Sequence, residues 1–143
     1  MSVPAEEGLS HDLPSHFARI ASAWFVLLGL VGVLLVGFGG GPRALFWMEV
    51  DSTSSMLHLA IGLVGVAMST TPARARRFTI VIGPALVIWA LLALVTDGSL
   101  GEWASGDTQV VAMHLLIGLA GIAVIWVPPV TRIRAPGRAS TRR

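Results

Sequence analysis

The chain has 143 residues, of which 54% are hydrophobic and only 13% charged, with a formal net charge of +2. That charge density is about half that of an ordinary soluble domain, and so much apolar content excludes a disordered chain. The absence of Cys excludes disulfides, iron–sulfur clusters, Cys-ligated zinc and thiol redox chemistry.

Residues 1–19 read as a mostly disordered cytoplasmic segment. They carry Glu6, Glu7 and Asp12, so they are not the basic start of a cleaved signal peptide, and the apolar run that follows is longer than a signal's core. That run, about 20–40, is the first of four stretches near the ~20 apolar residues needed to cross a bilayer. The second, about 53–70, is the shortest and most polar. The third covers about 78–96 and the fourth about 109–127. None contains Asp, Glu, Lys or Arg. In hydrocarbon each backbone polar group must be satisfied within its own segment, so these runs are expected to be helices. Pro84 is expected to kink the third without ending it. Residues 128–143 form a basic tail, which anchors topology or adheres weakly to anionic lipid.

The arginines set the topology. All ten basic residues are Arg. Arg19 precedes the first span, Arg74, Arg76 and Arg77 lie between the second and third, and Arg132, Arg134, Arg138, Arg142 and Arg143 follow the fourth. Nine therefore share one side, with only Arg43 opposite, which puts both termini in the cytoplasm. The outer loops carry Glu49, Asp51, Asp97, Glu102 and Asp107. Trp24 and Trp126 are expected at the inner interface, Trp47 and Trp103 at the outer one, with Trp89 near mid-membrane. A pI near 11.0 suggests nucleic acid, but basic residues that follow topology argue against such a partner.

Residues 47–67 (WMEVDSTSSMLHLAIGLVGVA) and 103–123 (WASGDTQVVAMHLLIGLAGIA) match at nine of 21 positions without gaps. Both fit W-x3-D-x6-H-L-x-I-G-L-x-G-x-A. The first and third spans share almost no identities. Two tandem helical hairpins in a parallel repeat are expected, related by a pseudo-twofold axis along the membrane normal. His58 and His114 then lie at similar depth. Gly62 and Gly65 share a helix face with His58, as Gly118 and Gly121 do with His114.

Each repeated residue has a structural and a functional reading. The glycines let helices pack closely, or they clear room for a flat ligand beside the histidines. Gly29 and Gly32 have the same spacing in the first span and leave a face suited to a partner helix. Asp51 and Asp107 cap helices, with Ser52, Thr53 and Thr108 helping, or they form an acidic outer mouth. Trp47 and Trp103 are interface anchors. An ionisable residue inside a membrane is a functional candidate by default, while a neutral His can also donate one interhelical hydrogen bond and accept another. His58 and His114 are thus either structural partners or ligands, with a bis-imidazole haem b the sharpest ligand; a proton, quinone or small-ligand site is the further option. Two His make no ordinary zinc site, and His11 and His16 lie on the wrong side. Phosphate loops, nucleophile elbows and the H-E-x-x-H pattern are absent from the sequence, and no metal is expected.

The span order, the outer loops and the doubled segments MLHLAIGLVGVA and AMHLLIGLAGIA resemble a family of small four-helix membrane proteins of unknown function, common in high-GC Gram-positive bacteria. The resemblance covers about residues 20–127. Its members often carry Asn preceded by His or Asp just before the motif His, where this chain has Ser54-Ser55 and Val110-Val111. The resemblance implies a fold and a membrane location, and no reaction.

Together these features predict an all-α, four-span protein of the bacterial cytoplasmic membrane, both termini inside. The leading function is a non-enzymatic structural or accessory subunit, or a homo-oligomer, with lipid and another membrane protein as partners and no cofactor. The alternatives are a bis-histidine haem b electron-transfer protein using His58 and His114, and a small transporter or channel.

Overall fold

A computed structural model describes residues 13–46, 48–96 and 107–126. Expectations for residues 1–12, His11 included, for Trp47, Asp97, Glu102 and Trp103, and for the basic tail lie outside the described residues.

The described residues form four helices and one small hairpin: α1 (Leu13–Val36), β1 (Arg43–Leu45), β2 (Met48–Val50), α2 (Ser52–Met68), α3 (Pro72–Val95) and α4 (Thr108–Trp126). Helices α1, α3 and α4 are long and apolar enough to cross a membrane. Helix α2, expected as the second span, has 17 residues and is the short apolar helix of the set.

Two helices begin earlier than their apolar runs. Helix α1 starts at Leu13, so Arg19 sits on it and does not precede it. Helix α3 starts at Pro72, with Thr71 accepting from the Arg74 amide as N-cap. Pro needs no amide partner at the first helical position, and this starts the helix ahead of its apolar stretch. Arg74, Arg76 and Arg77 therefore ride its first two turns and are not in a loop. Helix α3 then runs through Pro84 without interruption.

At its other end α1 stops at Val36, short of the expected residue 40. Gly37 and Gly39 follow with φ of 75° and 83°, a backbone region open chiefly to glycine. The Gly39 amide donates to the Ser52 hydroxyl at 2.9 Å, which ties this turn to the start of α2. The hairpin between α1 and α2 carries no sequence signal. It pairs Arg43 with Val50, Ala44 with Glu49 and Leu45 with Met48. Phe46, directly after β1, adopts φ 55°, a backbone region that favours Gly, Asn or Asp. Met48 and Val50 are buried and pack with Leu28 and Val110, so burial holds the hairpin in place where turn propensity does not.

Helix α1 packs mainly on α2, and α3 mainly on α4. The glycines make these contacts possible. A Cβ on Gly29 would lie 2.3 Å from the Leu59 amide nitrogen, and one on Gly62 2.5 Å from that of Val26. In the other pair, a Cβ on Gly118 would lie 2.8 Å from the Gly83 carbonyl oxygen. The glycine face of α1 is thus covered by α2 and is not left for a partner helix. The two pairs meet through a core of Ala18, Phe25, Ala75, Phe78, Ile82 and Leu86. Ile20, Leu34, Val81 and Leu116 point outward, each at least 68% exposed. So much exposed apolar surface is a liability in water and suits a lipid surround.

Candidate functional site

The repeated histidines meet. His58 lies six residues into α2 and His114 six residues into α4, each about 9 Å along its helix at ~1.5 Å per residue. Their Nε2 atoms are 3.1 Å apart, so one imidazole donates its N–H to the lone pair of the other. Phe25 of α1 stacks against His58, with centroids 5.4 Å apart and planes inclined by 14°. It also borders His114 at 6.5 Å. Helices α2 and α4 otherwise scarcely touch. The imidazole pair is therefore the polar bridge across a gap that backbone packing leaves open.

That gap is a cavity of about 170 Å³. Leu28, Ile61, Leu86, Trp89 and Met113 supply apolar wall, and His58 and His114 are its main polar groups inside the bundle. Glu49 and Ser54 border it on the side of the hairpin. Trp89, expected as the mid-membrane exception among the tryptophans, faces this space. Trp24 lies at the middle of α1, and its Nε1 is 3.3 Å from the Met113 sulfur of α4. This is an interhelical contact between α1 and α4.

Both repeated aspartates cap helices. The Ser54 amide donates to Asp51 Oδ1 at 2.8 Å, and the Ser54 hydroxyl completes a capping box. The Gln109 amide donates to Asp107 Oδ1 at 3.0 Å. Asp107 Oδ2 does something the repeat did not foretell: it accepts the Glu49 amide of β2 at 2.7 Å, which fastens the hairpin of the first half to the helix start of the second. Both carboxylates are engaged by backbone N–H groups, as caps are, and not set out as an open acidic mouth.

The four repeated glycines divide their work. Gly62 and Gly118 give closeness to the neighbouring helix. Gly65 faces the Ser22 hydroxyl and the Phe78 ring, and Gly121 faces Phe17 and Gly83. Each abuts protein, so none clears a ligand space. Ser22 spends its hydroxyl on the Ala18 carbonyl, and Thr79 on that of Ala75, which lets both be buried without loss.

Sequence reasoning did not find Phe25, Met113 or Glu49 at this site. Phe25 and Met113 have no motif and reach the histidines only through packing. Glu49 arrives with the hairpin.

A protein of this build is a small helical bundle whose two halves close on a pair of histidines. The family model described as Domain of unknown function (DUF4383) matches residues 16–127, and the chain belongs to that family. No curated protein and no solved structure matches it.

Proposed function

We propose that this chain is a non-enzymatic integral protein of the bacterial cytoplasmic membrane, a structural or accessory subunit or a homo-oligomer, in which His58 and His114 clasp the two halves of the bundle. One observation carries the reading: the 3.1 Å bond between the two imidazoles, at a place where their helices have almost no other contact. A polar pair spent on each other, and backed by a stacked ring, serves cohesion. Interhelical bonds of this kind hold membrane bundles where lipid provides no hydrophobic drive.

In this reading α2 also crosses. Its 17 residues span about 26 Å at ~1.5 Å per residue, within the lower range for a spanning helix. The two helix pairs are a parallel repeat, and the equal depth of the histidines supports it. Both termini are cytoplasmic on the strength of the arginine bias. Because the chain has no Cys, single cysteines report topology without background. Arg76→Cys should label only from the cytoplasm, and Arg43→Cys only from outside. Chemical cross-linking in native membranes, followed by mass measurement, tests the subunit reading. A fixed-stoichiometry complex, or a defined oligomer, is expected. A monomer with no cross-linked neighbour would overturn it.

A second reading is favoured by the facing Nε2 atoms: ligation of haem b. An iron with two axial nitrogens at ~2 Å each would hold them about 4 Å apart, with the porphyrin in between. The Nε2 atoms stand 3.1 Å apart, so ligation would require them to separate by about 1 Å. A reduced-minus-oxidised spectrum of protein from haem-replete cells decides: a b-type band lost in His58→Ala and in His114→Ala would displace the clasp reading.

A further inference from the structure

The cavity beside the histidine clasp has a size and a polarity that specify an occupant. Its volume is about 170 Å³. An apolar protein cavity of about 150 Å³ takes up a single benzene ring. The walls supplied by Leu28, Ile61, Leu86, Trp89 and Met113 are of the kind that binds a flat, polarisable ring: an indole for stacking and a thioether for ring-edge contact.

The histidines add the polar part. Among the described residues, the bond between the two Nε2 atoms is the sole hydrogen bond of either ring. Yet no buried side-chain nitrogen there lacks a partner. The two Nδ1 atoms are therefore not sealed in protein, and both residues line this cavity. The bond between the rings sets what they present. In a neutral pair, the imidazole that donates from Nε2 keeps a lone pair on Nδ1. The imidazole that accepts at Nε2 carries its proton on Nδ1. One Nδ1 is thus an acceptor and the other a donor, and exchanging which ring donates exchanges the two roles. A hydroxyl finds the acceptor, and a carbonyl finds the donor.

The geometry points to a binding site for one six-membered aromatic or quinonoid ring that bears a hydroxyl or carbonyl oxygen, with the ring among Leu28, Leu86, Trp89 and Met113 and the oxygen on the Nδ1 edge of the His58–His114 pair. Two sources carry that chemistry: a free phenol, and the oxygenated head of a membrane-borne single-ring quinone. This inference does not depend on the subunit reading above, since a ligand site and a partner surface use different parts of the molecule.

The test is calorimetric titration of the full chain in lipid nanodiscs, with empty discs subtracted, using phenol, 2-methyl-1,4-benzoquinone and, as an oxygen-free control, toluene. Saturable binding of about one molecule per chain is expected for the oxygenated rings, at least threefold tighter than toluene. Phenol ahead of the quinone identifies the free phenol as the source, and the quinone ahead of phenol identifies the membrane head. Ala85→Phe, at the cavity wall but on an exposed position, fills the space without touching the clasp. It should weaken both oxygenated probes at least tenfold while leaving the unfolding midpoint unchanged. The inference fails if neither oxygenated probe saturates, if toluene binds as well as they do, or if a folded Ala85→Phe binds them as wild type does.

Discussion

The His58–His114 clasp makes a quantitative prediction about coupling. Replacing either histidine by Leu removes one partner of a bond in the bundle interior and leaves the other imidazole with an unmet nitrogen. An orphaned buried polar group costs about 1–3 kcal/mol. His114 is 6% exposed, so the cost of orphaning it by His58→Leu falls toward the upper part of that range. His58→Leu also loses the stacked contact with Phe25, which adds about 0.5–1.5 kcal/mol. The double variant leaves no orphan. It should therefore be less destabilised than the sum of the singles, by about 0.6–1.7 kcal/mol, from the average to the largest coupling found for hydrogen bonds between membrane helices. The assay is reversible unfolding in bicelles by a denaturing detergent, followed by tryptophan fluorescence, for the wild type, both singles and the double. Singles that add to within ~0.3 kcal/mol would mean that the two rings do not interact, and the clasp would be refuted. So would a single variant as stable as wild type.

Gly29→Ala places a Cβ against the Leu59 backbone, which cannot yield as a side chain could; a loss of about 1–3 kcal/mol is expected, while Gly41→Ala, with nothing within 4 Å, should stay within ~0.5 kcal/mol of wild type in the same assay. Gly37→Ala meets no neighbour either, but its φ of 75° should cost about 1 kcal/mol in backbone strain; an unchanged midpoint would show that this turn is not held. Asp107→Ala removes acceptors for the Gln109 and Glu49 amides and should cost about 1–2 kcal/mol. Hydrogen exchange at the Glu49 amide should speed up in Asp107→Ala and remain slow in Asp51→Ala, which loses only its own helix cap; equal protection in both would mean that Asp107 does not fasten the hairpin.

The helical elements and their caps are legible in the order of residues alone. Four apolar runs without charge leave the backbone no choice but helix in lipid, and four helices are what form. The repeated Asp at each helix start is a capping signal that acts locally, within three residues, and local signals survive folding unchanged. The glycine spacing announced close packing because a missing Cβ is a property of the residue. The helix starts are less legible: apolar runs mark what lipid tolerates, while Leu13 and Pro72 start their helices ahead of those runs.

Tertiary structure decided everything that depends on distance between segments. The 56-residue offset of the two histidines showed that they were alike, but an offset carries no distance. Only the packing of the two helix pairs about Phe25 brings their Nε2 atoms to 3.1 Å. The hairpin has no turn chemistry in its sequence; it exists because Met48 and Val50 are buried and because Asp107, more than fifty residues on, accepts the Glu49 amide. The cavity was equally invisible, since it is the space left where α2 and α4 fail to meet. Hydrogen bonding within a segment is short-ranged and can be read from spacing. The gap between two helices is set by the side chains of all four, and no single stretch of sequence contains it.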